Sequence, residues 1–364
     1  MTDKHIQKAG EGSNQIQAQN IIINQGISEE RVIAIVDERC GLAIQNCITE
    51  SRLIAEQRVS DLKAELLSAF AKRPELVNVL NEPSCVDTLE KAAKVAAKTS
   101  GLEDKKLLSE LLIKRFENPS DKHIASGVTK AIEIVDLLTD DELLGLTTFY
   151  AIHQYTPISR DAYEGLSVLD DLFGKLGVDN LPLGDEWIDN LDIHNALRVS
   201  QFIKLKPLAD LYFDSLSGYT QRGIEIGSPE EAEATKIIAK NHIPQDVLKI
   251  HELNPGYLRL NVRDINNFDE LAIVQTKPSG EVLPIPFNDE QRSAMQEIAL
   301  MCKGAEKNEI IKENLEKAIS SLTNLSEIEK WWNQIPSAPA ITIVGKTLAN
   351  ANARRIDPSL PDLN

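Results

Sequence analysis

Cysteine is scarce in this chain. Four residues in 364, Cys40, Cys47, Cys85 and Cys302, are too few and too scattered for a disulfide framework, and a reducing cytoplasm is the expected compartment. Long apolar runs are lacking too. The best charge-free candidate, Leu143 to Ser159, contains His153, Gln154 and Pro157 and falls short of the roughly 20 apolar residues a spanning helix needs, so no transmembrane segment is expected. No signal peptide is read at the start. Positive charge is in deficit, with 39 Lys and Arg against 56 Asp and Glu, a net charge of −17. That excess repels phosphate backbones and anionic lipid heads, so nucleic acid is not an expected partner, and the best basic cluster is only Lys346, Arg354 and Arg355.

Familiar catalytic signatures are also missing. There is no Gly-x-Ser-x-Gly elbow, no dinucleotide fingerprint and no catalytic cysteine context. His5, His123, His153, His242 and His251 form none of the Cys-x2-Cys or His-x3-His pairs that zinc uses. His153, between Phe149, Tyr150 and Tyr155, reads as a core or half-buried side chain. The sequence therefore assigns no catalytic residue, cofactor or metal ligand. What is present, 42% hydrophobic and 26% charged residues, suits a globular protein and excludes global disorder and collagen.

The opening has an unusual texture. No charge occurs from Gly12 to Ser28, and seven of the thirteen residues from Ser13 to Gln25 are Asn or Gln. Period-2 alternation places Ile16, Ala18 and Ile22 on one face of a strand. With no hairpin partner nearby, its backbone groups seek another chain, and stacking between identical copies suits this composition. The alternative is a polar tail without regular structure.

Gly26 ends that strand, Ser28 is a good N-cap, and Glu29 and Glu30 sit where the helix macrodipole favours them. A helix of about 45 residues, roughly 67 Å long, is predicted to run to Lys72, just before Pro74. Its stripe is Val36, Cys40, Ile44, Cys47, Ser51, Ala55, Leu62, Leu66 and Phe70. Cys40 and Cys47 share a heptad position. A coiled coil joining protomers is one reading of this pattern; an amphipathic helix packed on its own domain is the other.

From Glu75 to Leu253 the pattern stays helical, broken at prolines and glycines, with apolar faces such as Leu107, Leu108, Leu111, Leu112 and Phe116. After Asn254 strands are predicted at Tyr257 to Val262 and Leu271 to Thr276, then a turn at Pro278, Ser279 and Gly280 leading to Val282, Leu283 and Ile285. Helices resume at Asp289 to Cys302, Asn308 to Leu322, a segment with Trp331 and Trp332, and Ile341 to Arg355. The predicted class is mainly α with a small α+β C-terminal part. Its parts are a β arm (1–27), an oligomerisation helix (28–73), a helical domain (74–253) and an α+β region (254–364).

Two segments imitate functional motifs. Gly345, Lys346 and Thr347 end like a phosphate loop, yet Ala340 stands where the first glycine is needed and apolar residues fill the space between. The expected structure is a helix capped by Thr342, with Leu348 and Ala351 inward. Asp185, Glu186, Asp189, Asp192 and His194 lack calcium-loop spacing and read as a solvated acidic surface.

The segments GEGSNQIQAQNIIIN, from Gly10 to Asn24, and PAITIVGKTLANAN, from Pro339 to Asn352, resemble a family of uncharacterised bacterial proteins known by locus-tag names. The GSNQIQA opening also resembles short N-terminal elements of bacterial conflict and defence proteins, which implies a role in antiphage or stress defence. The family offers no catalytic residues to carry over. The expected function is a homo-oligomeric cytoplasmic interaction protein, a sensor or scaffold, assembled through Ile16, Ile22, Val36, Cys40, Ile44 and Cys47. The alternative is a hydrolase built on carboxylates between Asp179 and His194 or between Asp264 and Glu270, since sites assembled in space leave little linear trace.

Overall fold

The computed structural model describes residues 29–200, 203–269, 271–276, 282–303 and 309–362. The expected β arm, with Ile16 and Ile22, lies outside the described residues, as do Glu270 and the turn at Pro278, Ser279 and Gly280. The protein is mainly α, with small antiparallel sheets. It forms two units, residues 1–56 and 57–364.

Helix α1 (Glu29–Lys72) starts and stops where its acidic first turn and the following Pro74 dictate. In the second unit its C-terminal turns bury Leu62 and Leu66. There the Arg58 guanidinium donates to the carbonyls of Ala97 and Lys98, capping the end of α2 (Pro83–Lys98). Then follow α3 (Leu102–Glu117), α4 (Lys122–Ile134), α5 (Asp140–Gln154), α6 (Ala162–Leu176) and α7 (Glu186–Ile193). Local chemistry sets the starts of α4 to α6. Asp121 and Asp161 accept first-turn amides, and Thr139 with Glu142 forms a reciprocal capping box.

The chain continues through β1 (Leu197–Arg198), α8 (Leu208–Ser215), α9 (Ser217–Thr220), β2 (Ile224–Glu225), α10 (Pro229–Lys240), β3 (Leu248–Ile250) and β4 (Tyr257–Leu260). β4 is the centre of an antiparallel sheet ordered β2-β4-β3. A hairpin of β5 (Ala272–Thr276) and β6 (Val282–Pro286) pairs Ile273 with Ile285. The strands of β1 to β3 fall in the stretch expected to be wholly helical; two or three residues are too few to show a period. Helices α11 (Asp289–Cys302), α12 (Glu309–Ser321) and α13 (Thr323–Trp332), strand β7 (Ala340–Ile341) and helix α14 (Ile343–Ile356) complete the fold.

Two apolar cores result. The larger one takes in α2 to α8 and α12 to α14; the smaller gathers Ile224, Leu260, Val262, Met295, Ile298 and Cys302 around the sheet and α11. Helix α14 packs on α3, α4 and α5 and is buried from Thr347 to Ala353. Its small residues permit that closeness, and the amide nitrogens of Asn350 and Asn352 find acceptors. Asn352 donates to the Thr147 hydroxyl (2.9 Å), and Asn350 to the Pro361 carbonyl (3.1 Å).

Candidate functional site

The N-terminal turns of α1 carry an exposed apolar row. Val36 is 51% exposed, Ile33 54% and Ile54 51%, and Cys40 and Cys47 are exposed as well. At 100° per residue these five positions fall within an arc of about 60° around the helix axis. Of the expected oligomerisation residues, the structure thus places Val36, Cys40 and Cys47 together on one solvent-facing seam. Ile44 lies on the same helix, its side chain outside what is described. Ile33 and Ile54 were not among the expected residues, although both keep the seven-residue spacing of Cys40 and Cys47. Leu42 and Leu53, also exposed, lie on the opposite side. The exposed ion pair of Arg52 and Glu56 (2.8 Å) follows the helical i,i+4 rule.

The Gly345 to Thr347 segment is the start of α14. The Thr342 hydroxyl accepts the Gly345 amide (3.2 Å) and donates to the Asn195 carbonyl (2.6 Å), with the Ala196 carbonyl 3.0 Å away. A Cβ on Gly345 would sit 2.1 Å from the Ala196 carbonyl oxygen, so this glycine serves the approach of two backbones, and Leu348 and Ala351 are buried as expected.

The fold does bring Lys346 beside His153. Both line a cleft of about 290 Å³ with Phe149, Tyr150 and Gln154. His153 is exposed, contrary to the half-buried position expected of it, with its ring centroid 4.7 Å from that of Phe149 and 5.3 Å from that of Trp332. Its Nδ1 donates to the Phe149 carbonyl (2.9 Å).

Among the described residues neither acidic segment gathers three carboxylates into a group that could hold a metal ion. Asp264 lines a cleft of about 230 Å³ with Thr156, Tyr219 and Asn267, but its Oδ1 accepts from the Ser217 hydroxyl (2.8 Å) and from both nitrogens of Asn266. Burial pushes its pKa up, and these bonds more than reverse that, so it stays ionised and cannot donate a proton at neutral pH. Between Asp179 and His194, Asp192 faces Arg198 at 3.6 Å. Among the described residues no group of three His, Cys, Asp or Glu side chains is arranged to hold a metal ion.

The most elaborate polar cluster was not legible in the sequence. Arg259, fully buried, donates to Glu252 Oε2 (2.5 Å) and Oε1 (2.8 Å) and to the carbonyls of Gly218, Leu260 and Arg160. Lys249 adds bonds to Glu252 (2.6 Å) and Asp161 (2.9 Å). Burial pushes Glu252 up, but Arg259 and Lys249 hold its carboxyl well below the usual range. Nearby His251 is pushed down to about 4 by burial; its Nε2 donates to the Gln221 carbonyl (2.7 Å) and its Nδ1 accepts the Leu253 amide. With every group matched, this cluster joins the N-terminus of α6 to β3 and β4 and leaves no reactive atom open.

A family model described only as ":-like" matches residues 26–363. The chain belongs to that family, an uncharacterised one with a locus-tag name. No curated protein and no solved structure matches the chain. Among the described residues no helix is long and apolar enough to cross a membrane.

Proposed function

We propose that the protein is a homo-oligomeric, cytoplasmic interaction protein whose copies join along the seam of α1 as a coiled coil. The observation that supports this reading is the row Ile33, Val36, Cys40, Cys47 and Ile54, exposed along one side of a helix. A seven-residue repeat complements a second copy of itself, and small thiols at the repeated position permit close approach. Full burial contributes about 1.5–3 kcal/mol for each Ile or Val, enough for three such residues from each chain to hold two helices together. The four free thiols suit a reducing compartment. A place in antiphage or stress defence, as sensor or scaffold, rests on the resemblance of the opening residues alone.

Light scattering at micromolar concentration should give at least two protomers, and mild oxidation a covalent dimer if the helices run parallel and in register, since each cysteine then faces its own copy. Cys40→Lys combined with Cys47→Lys should release monomers with an unchanged melting transition, both positions being exposed within one chain. A monodisperse 40.3 kDa species from the unmodified protein would overturn this function.

A further inference from the structure

Arg115 is 3% exposed and, unlike Arg259, has no carboxylate partner among the described residues. A guanidinium carries five N–H donors. Those of Arg259 all have acceptors, whereas Arg115 uses three: Nη1 donates to the carbonyls of Asn118 (3.0 Å) and Pro119 (2.9 Å), and Nη2 to the Ser84 hydroxyl (2.8 Å). Its Nε is buried without an acceptor, so Nε–H and one Nη2–H stay unused. These belong to adjacent nitrogens, the pairing that grips an oxyanion bidentately. A buried positive charge without a counter-charge is costly.

The same side chain forms part of the wall of a cleft of about 600 Å³. Lys122, exposed and without a carboxylate partner among the described residues, stands on that wall too. The two acids there are engaged: Asp121 accepts the amides of His123 and Ile124, which hold its carboxyl below the usual range, and Glu82 accepts the Ser84 hydroxyl at 3.3 Å. The starts of α2 and α4 border the cleft, and their dipoles offset these two acids and favour a further anion.

We propose that this cleft binds a phosphate-type oxyanion, free or as a monoester, with Arg115 as the bidentate partner and Lys122 as a second cation. Isothermal titration of the full chain with inorganic phosphate, in chloride buffer of low ionic strength, should show saturable heat with a millimolar dissociation constant, about −4 kcal/mol. Glycerol phosphate in a parallel titration distinguishes the sources: tighter binding than phosphate identifies a monoester site, equal or weaker binding a site for the free ion, and either supports an oxyanion ligand. Lys122→Gln should weaken phosphate about tenfold with the melting temperature of the ligand-free protein unchanged, because Lys122 holds no other group. Arg115→Lys keeps the charge and removes the fork, and should abolish binding. Absence of saturable heat up to about 10 mM phosphate, or full affinity in a folded Arg115→Lys protein, would overturn the assignment.

Discussion

Replacing Arg259 with Met tests how the three-stranded sheet is tied to α6. The guanidinium is fully buried and Glu252 is 11% exposed at its side chain, so the substitution leaves a carboxylate in a poorly hydrated place with Lys249 as its remaining cation. It also strips a donor from the carbonyls of Gly218, Leu260 and Arg160. Breaking a buried pair from one side costs about 3–5 kcal/mol, a large part of the roughly 5–15 kcal/mol that a folded protein has in reserve. At about 2–4 °C per kcal/mol, calorimetry should record a fall in melting temperature of about 6–20 °C. The double change Arg259→Met with Glu252→Met should be less damaging than the two single costs added together, since it leaves no orphaned charge.

Proton linkage gives the same experiment a second reading. Glu252 is held below its usual range, so its contribution is complete above the unfolded-state pKa, near 4.5, and is lost as pH falls through the lower folded-state value. In the Arg259→Met protein Glu252 binds its proton more readily. The gap between the two proteins should therefore narrow as pH drops below about 5. A gap that is constant from neutral pH into the acid range, or a variant that melts with the unmodified protein, would refute the reasoning.

Three further outcomes follow from single sites. Gly345→Ala forces a methyl against the Ala196 carbonyl oxygen and should cost about 1–3 kcal/mol in chemical denaturation, while Lys346→Ala at the exposed neighbouring position should stay within about 0.5 kcal/mol. Cys85 and Cys302 are fully buried, and burial pushes the Cys302 thiol up to about 12; both should react with Ellman's reagent only on unfolding, whereas Cys40 and Cys47, exposed within one chain, should react in the folded protein, and faster on dilution if the proposed seam joins copies. His251, pushed down to about 4, should show no imidazole titration by NMR between pH 8 and 5. Because the unfolded chain binds that proton from about pH 6.5 downward, His251 removes stability as pH falls from there to about 4.

Helix limits were legible where the chain carries its own punctuation. Glu29 and Pro74 bound α1, and Thr342 caps the start of α14. The hairpin of β5 and β6 was legible from two strand-forming runs on either side of the turn residues Pro278, Ser279 and Gly280. The pairing of β2 and β3 with β4 was not, because strands of two and three residues take their conformation from the neighbour they pair with. The seam of α1 was visible in part, through the repeat of Cys40 and Cys47, and extends to Ile33 and Ile54 once solvent exposure is known.

The two buried arginines explain why the polar sites stayed hidden. Arg115, between Lys114 and Phe116 near the end of α3, and Arg259, between Leu258 and Leu260 in β4, carry no mark in the sequence that tells their roles apart. Arg259 meets a carboxylate seven residues earlier and carbonyls of Arg160 and Gly218, which only the folded chain brings within reach. Arg115 meets two carbonyls of its own turn and one distant hydroxyl, and the rest of its donors meet nothing. Whether a charge is structural or available to a ligand is decided by how many donors the surrounding chain satisfies, and that number exists only in three dimensions. A buried cation left two donors short, on the wall of a cleft, is in the state an oxyanion would complete.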